Sequence, residues 1–186
     1  MEIEATRRRL TGRQADTVDR LTKSAVEILG REGFAGLTIR MVATAAGVGS
    51  ATAYTYFSSK EHLVAEVYWR RLRATPPPLD DELGRTARVL AVLRNIALLV
   101  ADEPELAHAV TAALLSRDPD VEHLRVRIGQ EIRRRLSDAW GKDPDPIVLQ
   151  SLEMLYTGAL VRAGIGESTY PEAADLMAKA AEFMLR

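Results

Sequence analysis

The sequence predicts an all-α fold of about nine helices. Hydrophobic residues make up 47% of the 186 residues but aromatic residues only 5%, so the core must consist mainly of Ala, Leu and Val. These residues, with little Thr or Ile outside one segment, favour helix over strand. Acidic residues followed by proline, as in Asp118-Pro119, are typical of helix starts, because a proline in the first turn loses no hydrogen bond.

The helical spacing of apolar residues, together with these start signals, sets the predicted order of elements. Gly33 is expected to end the first helix in a left-handed conformation. Thr38 is the predicted N-cap of the second helix, and Ser58 with Glu61 has the capping-box spacing for the fourth. The predicted helices are 14–31, 39–46, 50–56, about 58–74, 82–101, 102–116, 118–140, 143 or 145–164, and 171–185.

Composition excludes several classes of protein. The chain has no cysteine and three histidines without metal-ligand spacing, so no metal site and no cofactor are expected. It has no apolar run of membrane-spanning length and no apolar signal core near the start, so a cytoplasmic protein with no membrane partner is predicted. Neither Gly-x-Ser-x-Gly nor His-Glu-x-x-His occurs, which argues against an enzyme.

Charge is distributed unevenly although the net charge is −1. Residues 1–73 carry 12 Lys or Arg against 8 Asp or Glu, a net +4, and residues 74–186 carry 13 against 18, a net −5. Residues 1–13, with Arg7, Arg8, Arg9 and Arg13, are predicted to form a flexible basic arm. A basic front half suits a chain that docks one end on a polyanion.

The segment 37–61 is the most informative part of the chain. It predicts two short helices joined by a tight turn, in which Ala43 allows close helix approach and Gly47 supplies a positive φ. This is the pattern of a helix-turn-helix, whose second helix enters the major groove of DNA. Ser50, Ala51, Thr52, Tyr54 and Thr55 are predicted to form its outer face.

Groups at the edges of this motif are predicted to contact the DNA backbone or neighbouring bases. Tyr54, Tyr56 and Lys60 are expected to bind phosphate, and Thr38 to cap a helix and touch phosphate at once. The third helix contains no Arg, Lys, Asn or Gln, the residues that make bidentate base contacts. Strong guanine recognition would therefore come from Arg40 or the arm, and methyl contacts, DNA shape and arm insertion are expected to supply much of the specificity.

Residues 14–73 resemble the DNA-binding region of TetR-family transcriptional repressors. The resemblance rests on residues that all lie at the spacings typical of that family: Thr38-Ile39-Arg40, Ala43, Ala46-Gly47-Val48, Thr52, Tyr54, Tyr56-Phe57 and Ser59-Lys60-Glu61. Two positions depart from the family pattern. Gly49 stands where the family often has Ser or Thr, and Ala51 stands where it often has Gly. The resemblance implies an N-terminal three-helix DNA-binding domain (14–60), a connecting helix (61–75) and a C-terminal helical domain (79–186) for effector binding and dimerisation.

Two apolar faces on the eighth helix, and a similar pattern on the ninth, leave one face without a partner in its own subunit. The resemblance implies that these helices form a four-helix homodimer interface. The dimer would then present two helix-turn-helix motifs, here called readers, to a palindromic operator. The alternative is that both faces are buried within one subunit. The predicted interface residues are Leu152, Leu155, Gly158, Ala159, Leu176, Ala180 and Met184.

The resemblance further implies a repressor released from its operator by a small hydrophobic or amphipathic effector. Helices five to eight would enclose the effector, and polar groups in a mostly aliphatic lining would orient it. The candidates for those polar groups are Arg94, Asn95, His108, Thr111, Trp140 and Tyr156. Two other classes stay open: an all-helical enzyme or carrier with an accidental helix-turn-helix, and an interaction module that only pairs through its last two helices.

Overall fold

The computed structural model describes residues 12–78 and 80–186, which form helices and no strands. The prediction of an all-α fold is confirmed. No helix within these two ranges is long and apolar enough to cross a membrane. The helices are α1 (Gly12–Gly36), α2 (Ile39–Ala45), α3 (Ser50–Tyr56), α4 (Lys60–Ala74), α5 (Arg85–Ala97), α6 (Pro104–Leu114), α7 (Pro119–Trp140), α8 (Pro146–Gly164) and α9 (Tyr170–Met184).

Several helix starts follow the predicted signals. Asp118 caps α7, its carboxylate accepting from the backbone N–H of Asp120 at 2.8 Å. Asp145, rather than Asp143, caps α8 and accepts from the backbone N–H groups of Ile147 and Val148. Thr169 and Glu172 form a complete capping box for α9. These caps satisfy backbone donors that a helix leaves unpaired in its first turn.

Two boundary predictions are wrong. The N-cap of α4 is Ser59, whose hydroxyl accepts from the backbone N–H of His62 at 3.0 Å; Ser58 instead bonds the His62 ring. The fifth helix begins at Arg85 rather than about 82, because Leu83 donates to the carbonyl of Asp80 and closes a turn there. The prediction for Gly33 is confirmed: its φ of 63° and ψ of 178° are not helical and break α1 there, and a short helical segment follows to Gly36.

The predicted basic arm lies almost entirely outside the described residues, which begin at Gly12. Arg13, assigned to the arm from the sequence, lies in the first turn of α1. The interpretation of Arg7, Arg8 and Arg9 as a DNA-contacting arm stays a prediction.

The chain divides into two compact units. The first contains residues up to Arg71 together with Glu103–Arg125, and thus α1–α3, most of α4, α6 and the start of α7. In it α2 packs on α1 and α3, and α6 packs on α1. Alanines buried on α6 permit that close approach. The buried residues of α1 form the predicted stripe: Val18, Leu21, Ala25, Ile28 and Leu29.

The second unit contains Leu72–Asp102 and Val126–Arg186. In it α8 packs on α9, and α5 packs on both. The unit is also held by buried ionic contacts: Glu131, 6% exposed, accepts from Arg134 and Arg135 at 2.9 Å and lies 3.5 Å from Arg73. The hydrogen bond from Arg134, aided by Arg135, holds the pKa of Glu131 at about 2 against the opposing effect of burial.

This division differs from the linear one predicted from the sequence, in which 79–186 formed a single domain. Residues 103–125 belong with the reader because the small residues of α6 fit against α1. The assignment of effector binding and dimerisation to the later helices stays a prediction.

Candidate nucleic-acid interface

Two backbone hydrogen bonds close the turn between α2 and α3. Val48 donates to the carbonyl of Ala43 at 2.9 Å and Gly47 to that of Thr44 at 3.1 Å. These are the two bonds of a Schellman motif, and they require the positive φ of 63° that Gly47 adopts. Ala43 is fully buried beneath the turn. The predicted roles of Ala43 and Gly47 therefore match this geometry.

Arg20 of α1 gives the same turn a further support that the sequence analysis missed. Its Nη1 donates to the carbonyl of Ala46 at 3.0 Å, so the guanidinium caps the last turn of α2. A cation at this end also suits the negative end of the helix dipole. The signal available in the sequence was a lone arginine beside the apolar stripe of the first helix.

Thr38 caps α2 as predicted. Its hydroxyl accepts from the backbone N–H of Met41 at 3.2 Å, and the residue is extended and exposed. Gly49 takes the N-cap position of α3 and provides no side-chain bond. The first turn of α3 is therefore uncapped by side chains, which leaves its backbone donors accessible from outside.

The third helix has a clear inner and outer face. Ala53 and Phe57 are fully buried, whereas Tyr54 is 48% exposed. Ala51, Thr52 and Thr55 are also exposed, and Ser50 is half-buried. The outer face thus carries short side chains and one tyrosine, which suits close approach to base-pair edges.

Two predicted phosphate ligands are limited by contacts within the protein: one is buried and the other is already hydrogen-bonded. Tyr56 is only 8% exposed, so little of it is available to a partner. Lys60 donates from Nζ to the carbonyl of Phe34 at 2.8 Å and lies 4.5 Å from the centre of that residue's ring. A phosphate contact from Lys60 would require exchange of this bond, and both assignments stay predictions.

Basic and apolar side chains extend the surface beyond α3. Arg40 is exposed on α2, next to Met41, and both line an open depression with Thr38, Thr44 and Arg31 of α1. Arg31 and Met41 were not singled out from the sequence. Their exposure is a tertiary property that a lone basic residue and a lone methionine do not signal.

A hydrogen-bonded cluster fixes the start of α4 to the start of α7 within the first unit. Ser59 donates to a carboxylate oxygen of Asp118 at 2.6 Å, and Ser58 lies 3.3 Å from the same oxygen. Burial acts to raise the pKa of Asp118, but the bonds from Ser59 and from the backbone N–H groups of Asp120 and Val121 hold it below its usual value. His62, buried beside Ser58, lies 3.8 Å from Asp120.

The predicted effector ligands do not form one group. Asn95, Trp140, Tyr156 and Arg94 lie in the second unit, where Trp140 and Tyr156 are buried and Arg94 forms an exposed ion pair with Asp175. His108, which is exposed, and Thr111 belong to the first unit.

Within the predicted dimer interface, Leu152 is wrongly placed because it is fully buried in its own unit. The outward face at α8 instead carries Met154, Gly158 and Ile165, which are all exposed. Leu176 is exposed on α9, Gly158 is exposed, and the remaining predicted residues are half-buried: Leu155, Ala159, Ala180 and Met184.

A short helix with an exposed outer face, joined to the preceding helix by a glycine turn, is typical of a helix-turn-helix DNA-binding protein. The sequence model of the bacterial regulatory proteins of the tetR family matches residues 21–67, which include the whole motif. The chain belongs to the TetR family of transcriptional regulators, so the resemblance drawn from the sequence is confirmed. It is a DNA-binding regulator and not an enzyme.

The relatives agree with this assignment over most of the chain. Uncharacterized HTH-type transcriptional regulators of Mycobacterium bovis and Mycobacterium tuberculosis (strain H37Rv) are each 48% identical over 165 residues, covering 88% of this chain and 78% of theirs. A TetR transcriptional regulator from Rhodococcus sp. RHA1 has a similar fold, with a TM-score of 0.77 at 22% identity over 94% of this chain and 98% of that one.

Proposed function

We propose that the protein is a repressor that binds a palindromic operator as a homodimer and is released by a small hydrophobic or amphipathic effector. The observation that carries the proposal is the outward face of α3, where Ala51, Thr52, Tyr54 and Thr55 are all exposed. This face carries short uncharged side chains and one tyrosine, with no carboxylate to repel phosphate, so it can approach the edges of base pairs closely.

Dimerisation is supported by an apolar face on α8 and α9 that none of the described residues covers. On α8 Met154 is 70% and Ile165 60% exposed, and they share one helical face with Gly158. On α9 Leu176 is 64% and Phe183 70% exposed. Large exposed apolar side chains on two packed helices are typical of an interface between subunits. A two-fold axis through this face would give two readers and hence a palindromic site.

Effector binding is supported by polar groups inside the second unit. Asn95 has a buried side-chain oxygen that accepts no hydrogen bond from the described residues. A buried acceptor without a donor is costly, and a ligand or a water supplies one. Trp140 and Tyr156 are buried in the same unit. Asn95, Trp140 and Tyr156 are therefore the preferred ligand contacts among the six candidates.

The proposal is tested first by binding of the purified protein to DNA that flanks its own gene. We expect retention that is sequence-specific and falls steeply with salt, because Arg40 and other basic groups displace counterions from phosphate. Ala51→Asp places a carboxylate on the outer face of α3 and should abolish retention. Ala112→Asp is the matched control, since Ala112 is an exposed helical alanine of the same unit.

A dimer without affinity for DNA at low salt would contradict the proposal and favour the interaction module. The direction of regulation is tested by deleting the gene: transcription from the bound promoter should rise. A fall would identify an activator. Addition of candidate amphipathic compounds to the retained complex then tests release, and substitution Asn95→Leu should reduce the response without changing DNA affinity.

A further inference from the structure

The reading surface is free of charge well beyond α3. No Lys, Arg, Asp, Glu, His, Asn or Gln occurs anywhere in residues 41–59, which include α2 after its first turn, the turn itself and all of α3. The exposed side chains of this stretch are small or apolar, apart from hydroxyl groups. Bidentate recognition of a base is therefore impossible from any of these positions.

Some of those hydroxyl groups are directed to their own helix. The hydroxyl of Thr55 donates to the carbonyl of Thr52 at 2.6 Å, and that of Thr44 donates to the carbonyl of Arg40 at 3.0 Å. A threonine whose hydroxyl proton is engaged in this way offers its methyl group to an outside partner. Thr55 and Ala51, one helical turn apart, thus form a methyl surface on the exposed face of α3.

Only one group in the major groove is complementary to methyl groups. Thymine carries a 5-methyl group, whereas the edge of a G·C pair presents three hydrogen-bonding groups and only the small C5–H of cytosine. Covering those atoms with methyl groups would remove their water without replacing the hydrogen bonds, which is unfavourable. A methyl surface thus selects for thymine and against guanine and cytosine.

We infer that Ala51 and Thr55 determine the operator sequence by contact with thymine 5-methyl groups. The inference rests on the proposed binding of an operator by α3 and adds the chemistry of its specificity. Arg40 and the basic groups of α1 then supply affinity for the phosphates, and the methyl surface supplies the choice of base.

The DNA side is tested with the duplex that the full-length protein selects from a random library. Replacing thymine by uracil removes only the methyl group. We expect affinity to fall about fourfold for each contacted methyl group, and about fifteenfold when the symmetric pair is replaced. Uracil at thymines outside the half-sites is the control and should have no effect. Replacing guanine by 7-deazaguanine tests the competing hydrogen-bond readout and should also have little effect.

The protein side is tested with two substitutions at one exposed position. Thr55→Ser removes the methyl group and keeps the hydroxyl bond to Thr52, whereas Thr55→Val keeps the methyl group and removes the hydroxyl. We expect Thr55→Ser to bind about as weakly as the wild type binds uracil-containing DNA, with no further loss when the two changes are combined. Thr55→Val should retain the preference for thymine over uracil.

The outcomes separate this inference from the proposed function. Tight, specific binding that is indifferent to uracil would overturn the inference and leave operator binding intact, as would a larger loss with 7-deazaguanine or with Thr55→Val than with Thr55→Ser. A library from which no duplex is retained would contradict operator binding, and the inference with it.

Discussion

The helix-turn-helix and the second unit are stabilised by opposite means. Residues 41–59 contain no charged side chain, and the turn between α2 and α3 is closed by backbone bonds and by the Arg20 guanidinium from outside that stretch. The second unit is held in part by ion pairs, with Glu131 buried among Arg73, Arg134 and Arg135. A surface that must approach a polyanion has to exclude carboxylates, whereas a buried interior can use them.

This difference predicts that acid and loss of a single charge affect the second unit more than the turn between α2 and α3. Backbone bonds and a glycine turn have no protonation equilibrium. Buried ion pairs do, and removing one partner leaves the other charge buried without compensation. The two regions can therefore be separated by substitutions of matched type.

The largest effect is expected for Glu131→Gln. The change leaves Arg135, 2% exposed, without its anionic partner, so the free energy of unfolding should fall by about 3–5 kcal/mol. Urea unfolding at a fixed protein concentration measures it. Glu153→Gln is the control, because Glu153 pairs with the half-exposed Arg133 and should lose no more than about 1 kcal/mol. Equal losses would contradict the special role of the buried pair.

The same variant also tests how the stability contributed by Glu131 depends on pH. The pKa of Glu131 lies at about 2 in the folded protein, below its usual 4.5. The stability that it contributes is therefore fully present above about pH 4.5 and is lost as the pH falls towards 2. The stability advantage of the wild type over Glu131→Gln should shrink across that window, and an advantage that stays constant would contradict the ion-pair explanation.

Gly158→Arg tests whether the second unit contributes to DNA binding through dimerisation. A Cβ at Gly158 would meet only open space in the single chain, so the variant should fold. The arginine would project from the apolar face of α8 and prevent dimerisation. Operator affinity should then drop at least about a hundredfold, because in a dimer the binding of one helix-turn-helix makes the binding of the second intramolecular. Analytical ultracentrifugation and gel retardation measure the two effects.

Gly129→Arg is the matched control for that variant. Gly129 is also an exposed helical glycine with open space around it, on α7 in the same unit. It should leave both the dimer and the operator affinity unchanged. Monomers from both variants would indicate a wider interface than the one proposed.

The reader could be predicted from the sequence because its determinants are local. Thr38 and Gly47 act on backbone groups within five residues of themselves, so spacing alone is informative. The same short-range logic predicted the cap at Asp118 and gave Asp145 as one of two candidates, with Asp143, for the start of α8. It failed at Ser58 because two adjacent serines offer two equivalent caps: Ser59 accepts from the backbone N–H of His62, and Ser58 bonds the His62 ring instead.

The later helices could be predicted only in part because their determinants are not local. Apolar periodicity shows that α8 has two apolar faces but not which of them points inward. Leu152 was assigned to the interface, although it lies in the core. The grouping of α6 with α1 and the contact of Glu131 with Arg73 are likewise set by residues far apart in the sequence. No spacing rule reports such contacts.

A smaller effect is expected for Gly47→Ala. The space around a Cβ at this position is ordinary, with Arg20 Nη1 at 3.9 Å, so the cost is that of a positive φ, about 1–2 kcal/mol. Gly49→Ala is the control, since Gly49 has φ −61° and its Cβ would lie 3.7 Å from Thr52. Thermal unfolding of the two variants should differ accordingly, and a stable Gly47→Ala would contradict the glycine requirement of the turn.

The smallest effect compares equivalent caps in the two regions. Thr38→Ala and Thr169→Ala each remove a hydroxyl that accepts from a backbone N–H in a first helical turn, at 3.2 and 3.3 Å respectively. Because both residues are exposed, each change should cost about 1 kcal/mol of stability. Only Thr38→Ala should also weaken operator binding, since a frayed start of α2 disturbs Arg40 and the surface beside α3. Equal operator affinity for the two variants would show that the first turn of α2 takes no part in docking.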